Sequence, residues 1–404
     1  VADVLIEGAV NNVSHKCALR SQVFVSASVG YQFFIDAVVD LKYKKTTDGG
    51  ATWGTAVNVR TGTVTSFDVW YDKWTPGLST EKIHIAWNDS GTDDVWYASI
   101  DTASSDTLDG PRVVKAGATF ALISGTMDER SCSITRARGG NLYLYWNGDG
   151  TAESGFERST DGGANWTSRT NHASGVTYLG MLCPANTSDT QDVVIVGAVS
   201  GGSLLIILYD DSANTWGLTT VADNVFPDTT YASIAASVRH SDGHVIFCSW
   251  NIVNSSAADI RVRDITVDTV GAGNAAATAK TDVITNEDNS GQCCLFIDQN
   301  TGDLYVGYLT NGTWLTSARV VYKKSTDGAA SWGTETQLDE NALADQRALW
   351  CDLGGTATRF SPAWHNIDLD DMYINLNTAV VIAAAAGWGP LLSLGRNRLV
   401  VAQR

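Results

Sequence analysis

The chain has 404 residues, 44% of them hydrophobic, enough to bury the core of one large or two ordinary domains. Its net charge is −17, with no cluster of Lys and Arg to replace the counterions of a nucleic acid, so a nucleic-acid partner is set aside. No apolar run approaches the about 18 residues of a membrane-spanning helix; the most apolar stretch, TAVVIAAAAGWGPLL from Thr378, is short and rich in Ala and Gly.

An acidic composition suits salty or extracellular surroundings. The chain begins at Val1 without a basic-then-apolar leader, as a processed form would. Its seven cysteines show no CxxC and no Cys/His spacing, so neither a metal nor a cofactor is expected. They read as buried thiols filling small apolar spaces.

In chain order, the first element is VLIEGAV (Val4–Val10). It has no place in a first unit that starts near Lys16, and one position for it is the outer edge of the last unit. Next comes a strand, LKYKK, that runs into the polar turn KKTTDGGATWGT (Lys44–Thr55). The turn is written twice more, as ERSTDGGANWTS from Glu157 and KKSTDGAASWGT from Lys323. Degenerate copies lie between: SIDTASSD at Ser99, YDDSANTW at Tyr209 and TVDTVGAG at Thr266. Their aspartates, Asp48, Asp101, Asp161, Asp211, Asp268 and Asp327, recur every 50 to 60 residues. A period of that length marks a repeat architecture.

Each turn is preceded by one short strand and followed by another. Upstream of most lies a hairpin, as in SCSITRARGGNLYLYWN (Ser131–Asn147), YASIAASVRHSDGHVIFCSWN (Tyr231–Asn251) and CCLFIDQNTGDLYVGYLT (Cys293–Thr310). One unit is therefore four strands in about 55 residues, the pattern of a propeller blade. A seventh unit lacks the turn but keeps a hairpin, RALWCDLGGTATRFSPAWHN, and a third strand, DDMYINL. The expectation is an all-β chain, residues 1–404 as one domain, forming a seven-bladed propeller with six blades as the alternative. Residues 1–14 and 386–404 are left as ring-closing or partner-contacting segments, the latter a possible route to a homo-oligomer.

The turn pattern, Ser/Thr-x-Asp-x-Gly-x-x-Trp, resembles the Asp box of the sialidase-like propellers. Its physics is structural: the carboxylate accepts from the turn's own N–H groups, Gly supplies positive φ, and Trp packs between strands. Asp48 with Trp53, Asp161 with Trp166, Asp211 with Trp216 and Asp327 with Trp332 are expected to be scaffold. The resemblance places these turns on the face away from the active site.

The opposite face carries the starts of first strands and the ends of second strands. Four second strands end in Trp followed closely by Asn: Trp87-Asn88, Trp146-Asn147, Trp250-Asn251, and Trp364 with His365 and Asn366. These Trp either fill gaps between blades or form an aromatic ring for sugars. Arg130 and Arg347 each follow an Asp into a first strand. They are either rim arginines paired with Asp128 and Asp345 or bidentate ligands for a carboxylate or sulfate.

Sialidases use three Arg, a Tyr nucleophile aided by Glu, and an Asp acid/base, and the family's Tyr nucleophile is an exception among glycosidases. The family's Arg-Ile-Pro signature is missing here: Arg20 is followed by Ser-Gln. Asp36 matches the family's Asp loosely. Tyr373, Tyr305 and Tyr308 compete for the Tyr, and none of the eight Glu is placed beside one. No full active site carries over. The late segment from Asp345 also resembles Asp-box proteins encoded by phages. Three functions stay open: a glycan-binding propeller on a virion or cell surface, an exo-glycosidase of sialidase type or polysaccharide lyase, and a structural or assembly protein. The expected partner is a carbohydrate, acidic if the arginines bind it.

Overall fold

The computed structural model describes residues 3–11, 20–118, 132–146, 155–171, 178–199, 203–222, 234–254, 257–268, 275–287, 293–310, 319–339, 346–355, 359–366, 369–376 and 380–381. Within them the regular structure is strand throughout, apart from one short 3-10 helix at Asp72–Trp74. Among the described residues, seven sheets of four or five strands follow one another along the sequence, with a further two-stranded pair, Arg359–Phe360 and Val380–Val381. The number is seven, so the six-blade alternative falls.

Blade 1 comprises Gln22–Phe24, Gly30–Ile35, Leu41–Thr46 and Val57–Arg60, numbered from the axis outward. Blade 2 is Val64–Tyr71, Lys82–Asp89, Asp94–Asp101 and Thr107–Lys115. Blade 3 is Cys132–Arg136, Leu142–Trp146, Gly155–Ser159 and Thr167–Ser168. Blade 4 is Tyr178–Pro184, Val193–Val199, Ser203–Asp210 and Thr215–Ala222. Blade 5 is Ile234–Val238, Val245–Asn254, Ala257–Thr266 and Ala276–Ala279, with Ile284–Glu287 also paired to its third strand. Blade 6 is Cys293–Asp298, Leu304–Leu309, Val320–Ser325 and Thr336–Gln337.

Blade 7 takes Gln346–Trp350, Ala363–Asn366 and Asp371–Ile374 from the end of the chain and its outer strand, Val4–Glu7, from the beginning. Val4 lies opposite Ile374 and Leu5 opposite Tyr373. Val10 then bridges to Asp36 in blade 1. The N-terminal strand thus closes the ring. Residues 386–404 lie outside the described set.

Alternate residues of a strand point to opposite sheet faces, so each blade offers two apolar faces to its neighbours. The buried side chains divide accordingly into seams. Tyr143, Phe156, Leu182, Ile195 and Tyr209 fill the seam between blades 3 and 4. Cys183, Val196, Ala236 and Phe247 fill the next. Every described blade therefore needs its neighbours to bury a face, which is why the period had to be repeated.

The repeated turns join third to fourth strands. In the first, Thr46 Oγ1 donates to Asp48 Oδ1 at 2.8 Å and accepts from Gly50 N at 2.8 Å, while Asp48 accepts from Thr52 N at 2.9 Å. Asp161 and Asp327 repeat this with Asn165 N and Ser331 N, each at 2.9 Å. The side-chain and backbone donors of Thr52, Asn165 and Ser331 pull these carboxyls down to about 2. The degenerate fourth copy is built differently. Asp210, not Asp211, accepts from the turn, at 2.8 Å from Ala213 N. Asp211 instead pairs with Arg158 at 2.9 Å and Arg169 at 3.4 Å. Tyr209 stands where the other three copies have the Ser or Thr whose hydroxyl bonds the turn, and Ser212 where they have a Gly at positive φ, so that turn does not fold in the same way.

Candidate functional site

First strands run toward the face of the repeated turns, so that face holds the first-to-second-strand connections. Two of them meet under the axis. The 3-10 helix after blade 2's inner strand brings in Trp74, and the segment after blade 7's inner strand brings in 351–355. Trp74 Nε1 donates to Asp352 Oδ1 at 3.0 Å, and Asp352 N donates to Gln22 Oε1 at 3.1 Å. Gly354 and Gly355 pair in parallel with Ile297 and Asp298 of blade 6. Leu353 O accepts from Ser237 Oγ of blade 5 at 2.8 Å, and His240 Nε2 lies 3.3 Å from Trp74 O. Blades 1, 2, 5, 6 and 7 thereby share a closed floor.

Above that floor, Arg20 and Asp68 occupy the axis, exposed 2% and 0%. Arg20 donates from its backbone N (3.1 Å), Nε (2.8 Å) and Nη2 to Asp68. It also donates to Leu182 O at 3.0 Å, Ser133 Oγ at 2.9 Å and Ile134 O at 2.8 Å, and lies over the Trp70 ring at 4.7 Å. Asp68 also accepts from Ser133 Oγ at 2.8 Å and Ile134 N at 3.0 Å. One guanidinium therefore ties the inner strands of blades 1 to 4, and its donors are occupied by protein. Arg20 is a bolt of the ring, buried, with every guanidinium nitrogen hydrogen-bonded to protein.

The sequence-predicted Trp are in the seams. Trp87 and Trp364 are exposed 0% and 1%, Trp146 and Trp250 4% each. Trp87 stacks on Trp96, with planes 5° apart and centroids 6.3 Å apart. Trp364 stacks on Tyr373 at 6.4 Å. The Trp146 ring lies against Gly155, where an added Cβ would sit 1.7 Å from its Cζ2. These ring faces are covered by neighbouring strands. His365 is buried beside Trp364, opposite Arg347 in the strand register. Arg130 and Asn147 lie outside the described residues, as does the side chain of Arg347.

The tyrosines named for a nucleophile do not converge. Tyr373 OH donates to Asp371 Oδ2 at 2.8 Å, and burial together with that carboxylate pushes its phenol up to about 12. Tyr308 OH donates to Glu335 Oε2 at 2.6 Å but packs in the seam between blades 5 and 6. Tyr305 packs on Phe296 and Phe360. Asp36 accepts from Val38 N and Asp40 N, each at 3.0 Å, and caps a turn.

Two groups escaped the sequence reading. Tyr97 OH lies 2.7 Å from His84 Nδ1, and His84 Nε2 lies 2.8 Å from Asp72 Oδ1, with Arg136 2.7 Å from Asp72 Oδ2. Burial works against the Asp72 carboxylate, but His84 and Arg136 outweigh it and hold it well below the usual range. The chain has the composition of a proton relay, yet His84, Asp72 and Tyr97 are each at most 1% exposed. It links blade 2 to Gly162 O of blade 3, at 3.2 Å from Tyr97 OH. The spacing of His84 and Tyr97 on paired strands was the available signal. The second group is Asp189, Asp192 and Asp210, whose oxygens lie within 4.8 Å of one another. Asp192 already accepts from Thr187 Oγ1 at 2.6 Å and Asp211 N at 2.9 Å.

No protein-family model matches the sequence, and no curated protein does. Solved structures match its fold. An ulvan lyase of polysaccharide lyase family PL25, bound to -[GlcA(1-4)Rha3S]-, superposes with TM-score 0.58 and 9% identity over 95% of both chains. The polysaccharide lyase Uly1 superposes with TM-score 0.51 and 11% identity over 90% of both chains. The chain is a seven-bladed β-propeller. At such identities the likeness is one of fold, and function has to be argued from the site.

Proposed function

We propose that this propeller recognises an acidic polysaccharide at the mouth of the axis on the face away from the repeated turns, in an extracellular or virion-surface setting. The observation that carries the choice of face is the closed floor: Trp74, Asp352 and Leu353 seal the other end. The carbohydrate class is supported by the polymer-cleaving proteins that share the whole fold. Arg347 enters the inner strand of blade 7 from that mouth, and Arg130 precedes the inner strand of blade 3. Guanidinium groups there suit a uronate or sulfate, which they bind bidentately. The likeness of the repeated turn to the Asp box of sialidase-like propellers fits the same reading.

The likeness to a lyase with a uronate-containing ligand favours a second reading, cleavage of the polymer by β-elimination. That reaction needs a base for the proton beside the uronate carboxylate and a cation to neutralise the carboxylate. Arg347 supplies the second role in this reading.

Titration calorimetry against uronic-acid, sulfated and sialylated polymers tests the proposal. Binding of an acidic polymer is expected, weakened roughly 10-fold by Arg347→Ala through loss of a charge-assisted hydrogen bond. Trp166→Ala, on the opposite face, serves as control and should leave affinity unchanged. Absence of binding to every acidic polymer would sink the proposal. Ultraviolet absorbance from an unsaturated uronate distinguishes cleavage from binding alone.

A further inference from the structure

Four of the cysteines lie in two facing pairs. Cys293 and Cys294 are neighbours on the inner strand of blade 6, so their side chains leave opposite faces of the sheet. Cys293 enters the seam toward blade 5, among Ala235, Cys248 and Trp250. Cys294 enters the seam toward blade 7, among Leu349, Cys351 and Trp364. A Cβ added at Gly307 would meet Cys294 Sγ at 2.8 Å and Leu349 Cδ2 at 3.2 Å, which places that sulfur at the blade 7 boundary. The Cys248 thiol interacts with Cys293, and the Cys351 thiol with Cys294. Inner strands alone would keep cysteines apart. Cys248 reaches its partner because it sits on the second strand of blade 5, opposite Ala235. Cys351 does so because the chain leaves blade 7's inner strand just before it.

We propose that Cys248 with Cys293, and Cys294 with Cys351, form two disulfides that join blades 5, 6 and 7 when the chain folds in the presence of an oxidised small thiol. Each bridge forms by exchange. One protein thiolate attacks a small-molecule disulfide and expels one thiol. The second protein thiolate attacks the mixed disulfide and expels the other. The two protein thiols give up two protons and two electrons, and the oxidised small thiol is reduced to two thiols. The step belongs to folding, before the seams close. In the finished ring the four sulfurs are on residues exposed 0% to 5%, and burial pushes the Cys248 and Cys351 thiols well up, which starves exchange of thiolate. Cys132 and Cys183 stay out of the scheme because they occupy different seams, Cys132 beside Ser66 Oγ at 3.7 Å.

The test is refolding of the full chain from denaturant with reduced or oxidised glutathione, followed by thiol titration in denaturant and non-reducing peptide mapping. With oxidised glutathione, titratable thiols should fall from seven per chain to three. The peptides holding Cys248, Cys293-Cys294 and Cys351 should appear linked, and the melting midpoint should rise in a manner reversed by reductant. Cys248→Ser should keep the link from Cys294 to Cys351, and Cys351→Ser the link from Cys248 to Cys293. Seven free thiols after oxidative refolding, or a link involving Cys132 or Cys183, would overturn the proposal.

Discussion

At Asp339 the fold buries a carboxyl group, 3% exposed, with Arg319 Nη1 standing off at 4.0 Å. Burial pushes its carboxyl up to about 7, with Arg319 lowering it and Asp3 adding to the rise. The folded state therefore holds this proton more tightly than the unfolded chain, whose Asp titrates near 4. Its contribution to stability is full below about pH 4 and is lost as pH rises to about 7. The loss is on the order of 2–4 kcal/mol by the usual 1.36 kcal/mol per pKa unit. Asp339→Asn should flatten this slope and raise stability at neutral pH, read from denaturant unfolding at several pH values; an unchanged slope would refute the assignment. Arg20 behaves oppositely. Truncating it strands Asp68 without its cation at 0% exposure. Arg20→Ala should cost about 3–5 kcal/mol, as breaking a buried pair does. Joint replacement of Arg20 by Met and Asp68 by Leu should recover part of that loss. Equal losses in the single and double variants would show that the hydrogen bonds of the hub, rather than the stranded charge, set its cost.

Between residue and ring, the repeated turn and the strand contacts beside it decide how blades dock. Gly162 and Gly163 have φ +74° and +94°, but only Gly163 faces a neighbour. A Cβ there would sit 2.1 Å from Tyr97 Cε1, whereas at Gly162 nothing lies within 4 Å. Gly162→Ala should therefore cost about 1 kcal/mol of backbone strain. Gly163→Ala should cost about 2–4 kcal/mol, because the docking of blade 2 against the turn is displaced as well. Thermal melts of the two variants side by side measure the difference, and equal losses would mean Tyr97 moves aside freely. Trp166, whose ring meets Tyr97 edge-on at 5.2 Å, is only partly buried. Trp166→Ala should accordingly cost less than the about 3–5 kcal/mol of a fully buried aromatic. The motif spelled out its own hydrogen bonds in advance, since each of them, from Thr46 to Asp48 and from Asp48 to Thr52, spans four residues or fewer. It could not show that Tyr97, from another blade, rests on the second glycine.

The whole ring is held by its closure. Val4–Glu7 is the outer strand of blade 7, and the link from Val10 to Asp36 continues to blade 1. Removing residues 1–11 strips blade 7 of a strand, uncovers Ile374 and Met372, and should lower the melting midpoint by many degrees with loss of a single cooperative transition. A deletion variant that melts like the full chain would show that the floor at Trp74 and Asp352 closes the ring unaided. Much of this architecture was legible in the sequence, for a physical reason. A blade is a local object whose strands, turns and period are set by residues close together in the chain, and VLIEGAV, with no place in the first unit, was already offered the outer edge of the last. The number of units and the turn hydrogen bonds of Asp48, Asp161 and Asp327 followed from that locality. What brings distant residues together was not legible. In the sequence Arg20 was only an arginine followed by Ser-Gln; Asp68, Ser133 and Leu182, which close around it, come from three other blades. The Trp-Asn strand ends read equally as sugar platforms or seam fillers, because a sequence does not show which ring faces a neighbour covers. Trp96 over Trp87 and Gly155 under Trp146 decide that, and both are contacts made by tertiary packing. The closed floor has the same origin. Trp74 and Asp352 are 278 residues apart, and only the circular arrangement of blades, which returns the end of the chain to its beginning, sets one against the other.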